Sequence, residues 1–214
     1  MVVSVVVRGP EWFFGIDSML GGFSALALLL VTLFSFKVYR FTKDRRYRTF
    51  TIAFGLMTLG LVGRALADLM VYIGAQVHPL ALIAGYVGYM GATLVSLVLL
   101  FALTLKSQQR APFAALLLVS FALILLSSSY RLSFHSIAVI LLAFIAFHFI
   151  RNYFKKKSLT ALAVCLSFVL LTLTHAAFIW DIVQTRFYIV GHLLHVAAFA
   201  LLLFALVRVL RADD

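Results

Sequence analysis

Arg64 and Asp68 stand four residues apart inside Thr49–Ile73, an otherwise apolar stretch long enough to cross a membrane. A charge at that depth costs about 2.5–3.5 kcal/mol on insertion scales, so intramembrane charges pair with one another or face protein, water or a ligand. Four residues is about one helical turn, which brings both side chains to one face and lets them pair. Such a pair could hold an anion on Arg64 while Asp68 steadies the guanidinium, or it could mark a proton or solute pathway. Tyr86 and Tyr89 fall at a similar depth on the next apolar run. Together the four make a candidate ligand-binding set.

His192 and His195 are three residues apart, on one face of a helix, and His175 lies on the run before them. With Asp68 they offer a possible set of nitrogen and oxygen ligands, and His175, His192 and His195 are the candidate metal ligands. Catalytic zinc commonly takes three protein ligands and keeps one position for water, and that water is the nucleophile of metal-dependent hydrolases. Hydrogen bonding across helices, or a place near the headgroup boundary, explains any single histidine equally well. A single haem b is the other cofactor such residues could serve, because His175 and His195 reach equal depth on different helices. No second histidine lies at the depth of His148, so a two-haem wire across the membrane is unsupported. The histidine pattern resembles that of seven-span zinc hydrolases of the ceramidase and adiponectin-receptor type. They too use histidines on a late helix with a histidine and an aspartate from earlier ones. It departs from them in the spacing of the late pair, three here against four there, and in having no histidine in the second span. No activity is carried over.

These residues need a membrane to position them. Of 214 residues 64% are hydrophobic, 12% are charged and the mean hydropathy is +1.12, against about 25% charged in an average soluble domain. Seven apolar runs approach the roughly 20 residues a transmembrane helix needs: Ser18–Phe36, Phe50–Ile73, Leu80–Leu105, Pro112–Ser129, Phe134–Ile150, Leu159–Ile182 and Phe187–Val207. The fourth and fifth are the shortest, and a hairpin turning at Ser127–Arg131 would join them. The expectation is an all-α bundle of about seven helices forming a single transmembrane domain over residues 1–214, with six spans as the rival. The glycines Gly60, Gly63, Gly85, Gly88 and Gly91 allow spans two and three to approach closely.

Basic residues orient the bundle. Fourteen Lys and Arg fall between spans one and two, three and four, and five and six, or after span seven; Arg8, Arg131 and Arg186 fall on the other side. The positive-inside rule then places the N-terminus outside and the C-terminus in the cytoplasm of a multi-pass cell-membrane protein. In that orientation Arg64, Asp68 and five of the six histidines belong to the outer half or its loops. His135 and His78 lie above the others. The net charge of +11 is explained by topology and by contact with anionic headgroups. Its division among short loops makes nucleic acid a poor partner. The basic loops could also meet a cytoplasmic or membrane protein partner.

Several chemistries are set aside. The chain has one cysteine, Cys165, so no intrachain disulfide exists. Span seven has no lysine for a retinal Schiff base. No glycine-rich phosphate loop is present. The resulting expectation is a membrane module with a polar pocket in its outer half, binding a ligand or a metal in a sensory or accessory role. A metal-dependent membrane hydrolase and a small solute- or proton-translocating protein are the alternatives.

Overall fold

The computed structural model describes residues 10–13, 15–73, 79–105 and 110–212. Met1–Val7, Arg8, His78 and Lys106 lie outside the described residues. Among the described residues, a 3₁₀ turn at Glu11–Phe13 is followed by seven helices: α1 (Ile16–Thr42), α2 (Arg45–Tyr72), α3 (Pro79–Leu105), α4 (Arg110–Leu125), α5 (Tyr130–Lys156), α6 (Leu159–Trp180) and α7 (Arg186–Ala212). All but α4 are long and apolar enough to cross a membrane. The chain is thus an all-helical, polytopic membrane bundle. Helices satisfy every interior backbone group within one segment, which is why lipid admits them.

Most helices outrun their apolar runs, because the helix ends where it is capped rather than where it turns polar. At the end of α1, Lys43 adopts the left-handed conformation (φ 54°) and Asp44 then caps α2, accepting a hydrogen bond from Arg46 N at 2.8 Å. The α5–α6 connection repeats the device. Lys157 is left-handed (φ 47°), and Ser158 Oγ accepts from Ala161 N at 3.2 Å. Two residues therefore suffice to turn each hairpin.

Neighbouring helices close a ring in the order α1, α2, α3, α5, α6, α7 and back to α1, while α4 packs outside it against α3 and α5. The α3 and α5 helices run parallel: Tyr89 meets Phe134 near their N-terminal ends (5.7 Å between ring centroids), and Phe101 meets Phe144 farther along (5.9 Å). The chain leaving the far end of α3 must consequently climb back before α5 begins. The α4 helix makes that return with 16 residues, about 24 Å, against a hydrocarbon core of about 30 Å. The expected hairpin turn lies at 126–129, where Ser127 Oγ accepts from Ser129 N at 3.1 Å and meets Ser133 Oγ at 2.7 Å.

The two ends of the bundle differ. Where α1, α2, α5, α6 and α7 meet the basic segments, Lys37, Arg40, Lys43, Arg45, Arg46, Arg48, Arg151, Lys155, Lys156, Lys157 and Arg208 gather; this is the basic end. At the other, polar, end α1, α3, α5 and α7 begin and α2 and α6 finish. Leu28, Leu94, Leu97, Leu142, Ile145, Phe168 and Phe199 fill the interior between the ends. Leu33, Leu59, Phe144, Leu173 and Phe204 face outward, as side chains solvated by lipid do.

At Gly85 the backbones of α2 and α3 approach closely. A Cβ at Gly85 would come within 2.9 Å of Gly63 O and of Ala67 Cβ, whereas one at Gly88 meets nothing within 4 Å among the described residues. Gly85→Ala should therefore destabilise the bundle by about 1–3 kcal/mol through overpacking, and Gly88→Ala by less than about 0.5 kcal/mol. Reversible unfolding in mixed detergent micelles measures both. In a Cys165→Ser background, single cysteines at Lys43 and at Thr185 should react with a membrane-impermeant thiol reagent from opposite faces, Lys43 from the cytoplasmic one.

Candidate functional site

Six helices of the ring each send polar or ionisable side chains into one band below the polar end. Counted from the helix termini, Asp68 and His135 lie about 6–8 Å down and Arg64, Tyr89 and His195 about 12–15 Å down. Arg64 is at the centre. Its Nε lies 3.5 Å from Asp68 Oδ2, and its Nη2 lies 3.4 Å from His192 Nε2. Its Cζ is 5.0 Å from the centroid of the Tyr89 ring and 5.4 Å from that of Phe178, within the range of attraction between a cation and a ring face. One side chain of α2 thereby touches α3, α6 and α7. Arginine has no acceptor, so in the His192 contact it donates, and the imidazole accepts at Nε2 and carries its proton on Nδ1.

Asp68 has its shortest bond elsewhere: Tyr86 Oη donates to its Oδ1 at 2.6 Å. The carboxylate therefore leans on the phenol and meets the guanidinium as an ion pair at 3.5 Å, beyond the usual hydrogen-bond range. The four residues of the expected ligand-binding set, Arg64, Asp68, Tyr86 and Tyr89, form one connected group. The spacing of Arg64 and Asp68 on α2 accounts for their pairing. The close α2–α3 approach at Gly85 accounts for Tyr86 reaching Asp68.

A second carboxylate supports the group from α1. Tyr188 Oη donates to Asp17 Oδ2 at 2.7 Å, while Ser18 N and Gly15 N donate to Oδ1 at 2.7 and 3.0 Å. Gly15 has φ 87°, a conformation glycine takes without strain, and this turns its N–H toward Asp17. Ser18 Oγ donates to Ala65 O at 2.8 Å, tying α1 to α2 beside Arg64. The Tyr188 ring packs on His192 (4.7 Å between centroids), and Phe178 packs on the same imidazole from α6 (5.3 Å). Phe178 reaches that place over Gly191, where a Cβ would come within 2.7 Å of the ring.

The histidines divide. His175 Nδ1 lies 2.9 Å from His135 Nδ1, both rings buried, so one of the two nitrogens bears the proton and the other accepts it. His175 and His195 line a common small cavity, but His192 is turned to Arg64. Among the described residues no three His, Cys, Asp or Glu side chains gather as metal ligands. The structure thus brings together two of the three candidate ligands, and it gives His175 a different partner, His135. The apolar run placed the start of the fifth span at Phe134, which left His135 above the group. The helix begins four residues earlier, at Tyr130, and its first turn joins α6 through the Arg131–Asp181 ion pair. That pair was readable only as two charges at the ends of separate spans.

No family model matches the chain, and no curated protein or solved structure is significantly similar to it. The site has to be understood from its own geometry.

Removing one partner of a buried ion pair strands the other. Arg64→Met should cost about 3–5 kcal/mol by leaving Asp68 uncompensated, and Arg64→Met combined with Asp68→Leu should recover much of that loss. Unfolding free energies of the two variants in mixed micelles check the coupling.

Proposed function

We propose that the protein is a membrane-embedded binding module for a small anion bearing a carboxylate or phosphate, with Arg64 as its anchor. The observation that carries this reading is the loose commitment of the guanidinium. Its ring-face contacts with Tyr89 and Phe178 hold it in position, yet its polar contacts among the described residues measure 3.5 and 3.4 Å. Arginine presents five donors in a planar fork that suits bidentate oxygens, and a carboxylate on that fork would give shorter, charge-assisted bonds. Asp68 is then the internal stand-in for the ligand. Tyr86 would retain it when the anion takes its place.

The position of Arg64 also suits a sensory or accessory role. Because it touches three other helices, an anion that draws the guanidinium toward the polar end changes the packing of α2 against α3, α6 and α7. The basic end would carry that change to anionic headgroups and to a protein partner. Translocation is less well supported, since the core between the two ends is filled by leucine, isoleucine and phenylalanine side chains.

The test uses protein in lipid nanodiscs, titrated calorimetrically with acetate, succinate and inorganic phosphate. At least one probe should bind. Arg64→Gln should weaken that binding by about 1.5–3 kcal/mol, the worth of hydrogen bonds to a charged group. Asp68→Asn should strengthen it, because the competing carboxylate is gone. Binding indifferent to both substitutions, or none by any of the three, overturns the reading.

A further inference from the structure

A second feature lies deeper than Arg64 and does not depend on what Arg64 binds. A small cavity is bounded by Tyr89 and Thr93 of α3, His175 of α6 and His195 of α7. Met57, Leu61, Leu97, Leu142 and Leu171 complete its wall. Its free space amounts to about 10 Å³ for the centre of a water-sized molecule, which is about the least that a single water requires. Thr93 is 3% exposed, and among the described residues its Oγ1 has no hydrogen-bond partner. Most buried hydroxyls in helices donate to the carbonyl four residues back, as Ser96, Ser167 and Thr174 do here. Thr93 does not, so its hydroxyl is left to the cavity.

We propose that this cavity is a binding site for one ordered water molecule, held by Thr93 Oγ1 and by ring nitrogens of His175 and His195. Leaving a buried hydroxyl unpaired forfeits its hydrogen bonds to water without replacement, and a bound water with two to four polar partners restores them. Water suits the site better than a metal ion. Among the described residues the wall contains no carboxylate to balance a cation, and a buried unbalanced charge is far more costly than a buried dipole. Water also donates and accepts, so it serves His175 whichever nitrogen of the His135–His175 contact bears the proton. Once bound, it joins His135, His175 and His195 into one hydrogen-bonded chain across α5, α6 and α7, with α3 attached through Thr93. The chain lies beside Tyr89, whose ring also faces Arg64.

Solid-state NMR of ¹⁵N-histidine-labelled protein in bilayers tests this directly. Magnetisation from a water that is not exchanging freely with bulk should reach the ring nitrogens of both His175 and His195. The transfer should persist in Thr93→Ser and fall in Thr93→Val, which keeps the shape and removes the hydroxyl. The nitrogen–nitrogen coupling between His135 and His175 reports that each variant is folded. Absence of water contact at these two rings overturns the proposal. So does a transfer unchanged in folded Thr93→Val, or a stoichiometric metal found by elemental analysis and lost with His175→Ala.

Discussion

A guanidinium placed within the hydrocarbon zone of a helical bundle must be surrounded by protein, and the polar end of this protein is organised around that requirement. Arg64 has a carboxylate one turn away, an imidazole from α7, and ring faces from α3 and α6. Each contact fixes a helix. The Asp68 carboxylate then requires its own partner and receives Tyr86. His192, accepting from Arg64, is packed against the rings of Tyr188 and Phe178. Tyr188 in turn donates to Asp17. One buried charge thus propagates through a chain of satisfied polar groups from α2 to α1, α3, α6 and α7.

This arrangement separates the bundle into two halves with different duties. The half toward the basic end is a lipid-solvated apolar core, in which packing and close helix approach supply the stability. The half toward the polar end spends some of that stability on buried polar groups, which are tolerated only because nearly all are paired. The α4 helix takes no part in the polar band. It returns the chain between two parallel helices, and its shortness is compatible with that role because it contributes nothing to the ring.

The orientation of the side chains also bears on the anion reading. Arg64 is held by contacts that fix its plane more firmly than its hydrogen bonds. Asp68 is shared between a short bond to Tyr86 and a long one to Arg64. The carboxylate meets the phenol through Oδ1 and the guanidinium through Oδ2 at the same time, so a displacement of the Arg64 guanidinium acts on α2, α3, α6 and α7 together.

The sequence by itself determined the membrane class, the approximate number of spans, the asymmetry of charge between the two ends and the pairing of Arg64 with Asp68. These follow from local rules: apolar run length, the distribution of Lys and Arg, and the pitch of the helix. It also named His175, His192 and His195 as residues at similar depth. Only the tertiary structure decided which neighbours they meet. Depth along a helix can be counted from sequence, but rotation about its axis and the order of helices in the ring cannot. That order, with α5 rather than α4 beside α3, carries His135 to His175 and Tyr89 to Phe134. The starting point of α5 was hidden for a related reason. Hydropathy marks where lipid contact begins, whereas a helix begins where its first backbone hydrogen bond closes, here Ser133 N to Ser129 O, and Tyr130–Ser133 lies between the two.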